Sequence, residues 1–262
     1  VYELTYRGVN NSTWQLVGAH QGAEGVGAEE VSGFVASATT TLEPAPERAG
    51  VVLAGYSFEA MTGSLKVRIS DRWRDDEMLD DPGRLFRRWR SAWSPFADGE
   101  FTLRSQEGPL LRTRARLPGA SETPAKSPRS VGTVSLVTTL EVTCHDGVWL
   151  GAPQRYSGAA QVLNLGELEG YPRVEWSGSG ATVSGPGLPS VILPTTAVPA
   201  VWHTDPATGG LVTVDGEPAT ALRRQLRGRV APVPILPGES APWTFTGCTG
   251  VIEPLFCDPW RW

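Results

Sequence analysis

Few residues in this chain could do chemistry. Histidine occurs three times, as His20, His145 and His203, and cysteine three times, as Cys144, Cys248 and Cys257. Cys144-His145-Asp146 has the types a thiol nucleophile, its base and an orienting carboxylate require. The spacing argues against that use. Cys144 closes an alternating run, and neighbours on a strand point to opposite faces, so thiol and imidazole cannot meet. The thiol is expected in the core. His203 and Asp205 could serve a metal or act as a base, but no second histidine is near. Asp205-Pro206 followed by Gly209-Gly210 reads as a turn. Asp75, Asp76, Glu77, Asp80 and Asp81 lack the spacing of an EF-hand loop, and Pro82 explains them as the entry to a helix. There is no phosphate-binding glycine loop, zincin motif or G-x-S-x-G elbow. No catalytic, cofactor or metal residue is therefore assigned, and the chain is read as a non-enzyme.

Two groups remain as candidates for binding. Arg112, Arg114 and Arg116 alternate with Leu111, Thr113, Ala115 and Leu117, so the three guanidinium groups share one strand face. Arginine favours interfaces over lysine, which makes the row a candidate subunit contact; the competing use is a solvated sheet face. Ten tryptophans are many for this length. Trp89, Trp93 and Trp176 fall where a core residue is expected. Trp202, Trp243, Trp260 and Trp262 are candidates for a sugar platform, with Trp260 and Trp262 as surface aromatics. Core or subunit contact is the competing use.

The elements that would hold these residues are mostly strands. Leu65, Val67 and Ile69 alternate with polar residues, as do Phe101 and Leu103. The longest alternation puts Val134, Leu136, Thr138, Leu140, Val142 and Cys144 on one face. One helix is expected over 82–93. Asp81-Pro82 caps it, Leu85, Phe86, Trp89, Ala92 and Trp93 recur at helical spacing, and Ser94-Pro95 ends it. Residues 118–130 read as an exposed loop. Beyond Trp149 the strands shorten, at 173–176, 181–184, 191–193, 201–203, 211–214 and 243–246, with Asp215-Gly216 as a hairpin turn. The fold class expected is all-β with one helix, in two domains. A β-sandwich occupies 1–155 and a jelly-roll-like β-sandwich 156–262, with the Trp-rich last fifteen residues a candidate to pack back on the first.

Composition agrees. At 262 residues the chain is long enough for two modest domains. Its 30 glycines and 22 prolines disfavour a helical bundle without reaching the level of disorder. A net charge of −5 argues against a general nucleic-acid binder. No apolar run approaches a membrane span, and the first residues lack the basic start and apolar stretch of a secretion signal. Three cysteines make no disulfide framework; Cys248 and Cys257 could pair, but packed thiols are expected.

The order of features resembles the distal tail protein family of long-tailed, non-contractile bacteriophages. Gly50-Val51-Val52-Leu53 precedes the strand at 65–69, then comes the helix ending in Trp93. The hairpin Pro109-Leu110-Leu111-Arg112-Thr113-Arg114 follows. A long strand then closes on Thr143-Cys144-His145-Asp146-Gly147-Val148-Trp149, where Gly147 stands in place of the family's proline. In the second half, Asn164-Leu165-Gly166 with Tyr171-Pro172-Arg173-Val174-Glu175, the stretch 211–215, and Ile235-Leu236-Pro237-Gly238-Glu239-Ser240 resemble the family's second domain. The resemblance spans nearly the whole chain. It implies a ring-forming first domain and a galectin-like second one. It also implies a homo-hexameric adaptor joining the tail tube protein to the tail-tip hub, near the tape measure and receptor-binding proteins. Such a protein is made in the host cytoplasm and resides in the virion. It needs no cofactor, nucleic-acid contact or membrane insertion.

Two other functions stay open at this point. One is a carbohydrate-binding module built on the tryptophans. The other is a glycan hydrolase using two of Glu167, Glu169, Glu175 and Glu253 across a cleft, although no feature selects a pair.

Overall fold

The computed structural model describes residues 2–44, 51–70, 81–119, 135–226 and 233–261. The acidic run at 75–80, most of the 118–130 loop, Val134 and Trp262 lie outside them. The chain forms two compact units. The first is Val1–Leu150 together with Cys257–Trp262, and the second is Gly151–Phe256.

The first unit contains β1 (Tyr2–Arg7), β2 (Thr13–Val17), β3 (Val26–Gly33), β4 (Ala38–Pro44), β5 (Val51–Phe58), β6 (Met61–Ser70), α1 (Pro82–Ser91), β7 (Gly99–Ser105), β8 (Leu110–Ala115), β9 (Ser135–Cys144) and β10 (Trp149–Leu150). Within this unit one sheet contains β10-β8-β7-β1-β2, a second runs β3-β6-β9, and among the described residues β4 and β5 pair only with each other. Period-two patterning sets the registers. Leu65 faces Leu140 and Ile69 faces Leu136, so the apolar faces of β6 and β9 coincide, and Leu65, Val67, Ile69, Leu140, Val142 and Cys144 are buried. In the other sheet Leu103 faces Leu111 and Phe101 faces Thr113.

Helix α1 begins where the Asp81 carboxylate accepts the Arg84 N–H at 3.0 Å, with Pro82 in the first turn. It ends at Ser91, with Ala92 as its cap. Its buried stripe builds an aromatic core. Trp89 meets Trp14 edge-on at 5.3 Å, and Trp93 stacks on Tyr6 at 3.8 Å. The Tyr6 hydroxyl donates to the Ala92 carbonyl at 2.9 Å. Burial, reinforced by the nearby Asp98 charge, pushes that phenol above its usual range.

The second unit contains β11 (Gln154–Leu163), β12 (Arg173–Gly178), β13 (Thr182–Gly185), β14 (Leu188–Ile192), β15 (Thr196–Trp202), β16 (Val212–Val214), β17 (Glu217–Pro218), α2 (Thr220–Leu226), β18 (Ser240–Ile252) and β19 (Leu255–Phe256). Eight strands join in one sheet, ordered β14-β13-β18-β12-β15-β16-β17, with β11 on the other side of β18. β18 pairs with β13 through Thr246 and with β12 from Cys248 onward. Between them stands Gly247 at φ 66°, a conformation that suits glycine and lets the strand bend. Residues from seven of the strands and α2 share one core around Trp176, Trp202, Trp243 and Phe245, so the sheet curls around it. Asp215 and Gly216, both at positive φ, make the β16–β17 hairpin.

The molecule is mainly β, as expected. The expected single helix is corrected to two α-helices among the described residues, because α2 also forms. Its Thr-Ala-Leu-Arg-Arg-Gln-Leu sequence buries only Leu226, too little for a helical stripe to be seen.

Candidate functional site

The arginine row lies on β8, where Arg114 faces Glu100 and Arg112 faces Thr102 on β7. The Arg114 guanidinium bonds Asp146, with Nε 3.0 Å from Oδ1, and the Arg114 amide donates to the same carboxylate at 3.1 Å. Arg116 donates from Nε and Nη2 to the two oxygens of Asp98, at 2.6 and 2.9 Å. This fork holds the Asp98 carboxyl below its usual range. The Arg114 side chain is 62% exposed against 11% for Asp146. The acid therefore sits behind and the guanidinium faces outward. Surface ion pairs contribute only about 0–1 kcal/mol, so the clearer effect of these pairs is to hold arginines in one geometry. Arg112 is half-buried between its neighbours. The row is thus neither freely solvated nor covered.

A second constellation sits where β3 gives way to the β4–β5 ribbon. Phe34 has φ 59°, unusual for a bulky residue, yet is buried. Its amide donates to the Thr62 carbonyl at 3.0 Å, its carbonyl accepts the Trp149 indole N–H at 2.8 Å, and its ring meets Phe101 edge-on at 5.3 Å. Contacts with both sheets fix this pivot. The ribbon beyond it is exposed along all of β4. Leu42 and Tyr56 rank among the exposed large apolar residues of the chain.

Trp260 is half-buried rather than a projecting surface aromatic. Its indole N–H donates to the Gly33 carbonyl at 3.0 Å, its carbonyl accepts the Tyr2 hydroxyl, and Tyr2 meets it edge-on at 5.7 Å. The Ala36 amide donates to Cys257 at 2.8 Å. Trp262 lies outside the described residues. Beside Trp260 opens a cleft of about 660 Å³, walled by Tyr2, Leu4, Val17, Ala28 and Val31, with Glu29, Glu30 and Arg68 at its rim.

The remaining candidates disperse. Trp202 and Trp243 are 1% and 3% exposed, so they offer no face to a sugar. Cys144 is buried, and burial pushes its thiol up to about 12, far from a nucleophile's range. Burial likewise pushes Cys248 up to about 11. None of the three cysteines forms a disulfide. His203 is held below its usual range by burial and then by Arg173. Asp205 caps a short 3₁₀ turn over Pro206–Thr208. Glu175 and Glu253 both engage Arg173, at 3.2 and 2.7 Å, and Glu175 also pairs with Arg155. Glu169 accepts from Tyr171 at 3.4 Å. Among the described residues no group of histidine, cysteine and carboxylate side chains could hold a metal, and no helix is long and apolar enough to cross a membrane.

No family model and no curated protein matches the sequence. Solved structures do. A crystal structure of the Dit protein (gp 19.1) of phage SPP1, described as a paradigm of the hub adsorption apparatus of phages infecting Gram-positive bacteria, is similar over 98% of this chain and 99% of its own, with TM-score 0.60 and 14% identity. A chain of the phage P2 baseplate in its activated, calcium-bound conformation is similar over 97% and 98%, with TM-score 0.53 and 8% identity. The likeness is one of fold, and it runs end to end.

Sequence reasoning missed the pivot and the ribbon. Thr39-Thr40-Thr41 has strand propensity but no apolar alternation, so it carries no signal of a buried face. It also passed over Phe96, which is 90% exposed. The available signal was a large apolar residue inside turn chemistry, between Ser94-Pro95 and Asp98-Gly99.

Proposed function

We infer that this chain is a structural subunit of a bacteriophage tail tip, a homo-hexameric ring adaptor between the tail tube and the hub that carries host adhesion. The observation that carries this is the fold likeness to the SPP1 Dit protein over 98% of the chain. The P2 baseplate chain supports the same reading. The first unit has surfaces suited to copies of itself. Among the described residues β9 pairs with β6 and is otherwise bridged only at Thr143, by Arg116. Among the same residues β3 pairs only with β6. Sheet edges of this kind are completed by strands from other molecules. The arginine row, in which Arg114 faces outward over Asp146, is the further candidate contact of that ring. The role requires no catalysis, cofactor, nucleic acid or membrane insertion, and it places the protein in the virion after synthesis in the host.

Negative-stain electron microscopy of the purified protein at high concentration, alone and with tail tubes, tests the ring. Six-fold rings with a central channel are expected, about 170 kDa for six copies of a 28.1 kDa chain. Monomers under both conditions would refute it. Deleting the gene from its phage should abort tail assembly, and intact tails would refute the adaptor role. The carbohydrate-binding alternative loses its platform with the burial of Trp202 and Trp243.

A further inference from the structure

We propose that Phe96 is a knob that seats in the cleft beside Trp260 of a second copy of this chain, making the contact between neighbours in the ring. This rests on the ring reading above. Phe96 is 90% exposed, the most exposed large apolar side chain of the described residues, and its turn is rigid. The Ser94 hydroxyl accepts the amides of Phe96 and Ala97 at 3.0 and 3.1 Å. The Ser94 carbonyl accepts the Leu117 amide at 3.2 Å. On one side Trp93 is stacked on Tyr6, and on the other Asp98 is forked to Arg116. A ring held out so firmly loses little freedom on docking, and aromatic anchors of this kind dominate interface energetics.

The cleft matches it. Its walls are largely apolar, from Tyr2, Leu4, Val17, Ala28, Val31 and Trp260, and at about 660 Å³ it is roomy enough for a phenyl ring. Charge is complementary. The Phe96 turn sits at the end of the arginine row, where Arg114 presents its guanidinium with 62% of its side chain exposed. The cleft rim carries two carboxylates against one guanidinium: Glu29 pairs with Arg68 at 3.5 Å and Lys66 at 3.8 Å, and the exposed Glu30 leaves the rim acidic. Knob and cleft cannot meet within one molecule. β7 starts three residues after Phe96 and ends at Ser105, which faces Tyr2. Its seven residues separate the two by roughly 20 Å. A protrusion at one end and its complement at the other make a heterologous contact that repeats head to tail, the kind that closes rings.

The test uses the full chain under conditions where the wild type assembles. Phe96→Asp should reduce assembled rings at least tenfold while leaving the circular dichroism spectrum and melting unchanged, because the side chain supports no core. Mixing Phe96→Cys chains with Val31→Cys chains and adding a short bis-maleimide should give a covalent dimer on a denaturing gel that neither variant gives alone. Rings that persist with Phe96→Asp, or an absence of the mixed dimer while rings form, would overturn the knob and leave the ring reading standing. Failure of the wild type to assemble, alone or on tail tubes, overturns both.

Discussion

The two units divide their strands among sheets in different ways. In Gly151–Phe256 eight strands join one sheet, and even the two-residue β17 is paired into it. The first unit divides its strands among separate sheets and leaves a ribbon attached to neither. A two-stranded ribbon is at best marginally stable alone in water. The second unit thus gathers eight strands around one core, while the first spreads its strands over several smaller sheets.

That contrast can be broken by mutation. The largest expected effects come from the two aromatic cores. Trp89→Ala should destabilise the first unit by about 3–5 kcal/mol and Trp202→Ala the second by a similar amount; both side chains are buried. In denaturant titrations each variant should shift one transition only. A shift of both by either variant would show that the units share one cooperative core. Next comes Asn164, wholly buried. Its Nδ2 donates to Leu168 and Ile235 carbonyls at 2.7 and 2.8 Å, and its Oδ1 accepts the Gly166 amide at 2.9 Å. Asn164→Ala strands those backbone groups and should cost the second unit about 2–3 kcal/mol, read as an earlier denaturation midpoint. Asp81→Ala removes the α1 cap and should cost the first unit about 1 kcal/mol.

The smallest effect concerns pH. The Asp98 carboxyl is held down by Arg116, so its contribution is present above the ordinary carboxylate value and is lost as pH falls through the lower folded one. Below about pH 4 the first unit of the wild type should lose stability more steeply than that of Asp98→Asn. Parallel pH profiles would remove Asp98 from the account, and the same variant should leave the second unit unchanged.

What could be read from sequence followed periodicity. Leu65, Val67 and Ile69 announced β6 because a half-buried strand must alternate, and Asp81-Pro82 announced α1 because few other places suit that pair. Asp215-Gly216 announced its hairpin for the same kind of local reason. β4 is exposed along its whole length, and β11 buries only Val162 in a run of Gly, Ala, Ser and Gln, so neither gave such a sign. The candidate site was half legible. The arginine row was found by spacing, but Asp146, thirty-two residues from Arg114, and Asp98 behind Arg116 could not be inferred from local sequence. The Phe34 pivot joins residues as distant as Thr62 and Trp149, a relation that pattern reading within short windows does not reach.

One feature of the first unit bears on how the protein is made. Cys257–Trp262 belong to it, although 106 residues of the second unit, Gly151–Phe256, are translated between them and Leu150. Trp260 ties Gly33 to Tyr2, so the cleft beside it lacks a wall until the ribosome has passed residue 260. A nascent chain therefore emerges with this cleft unfinished, and the wall is added only after the whole second unit has been made.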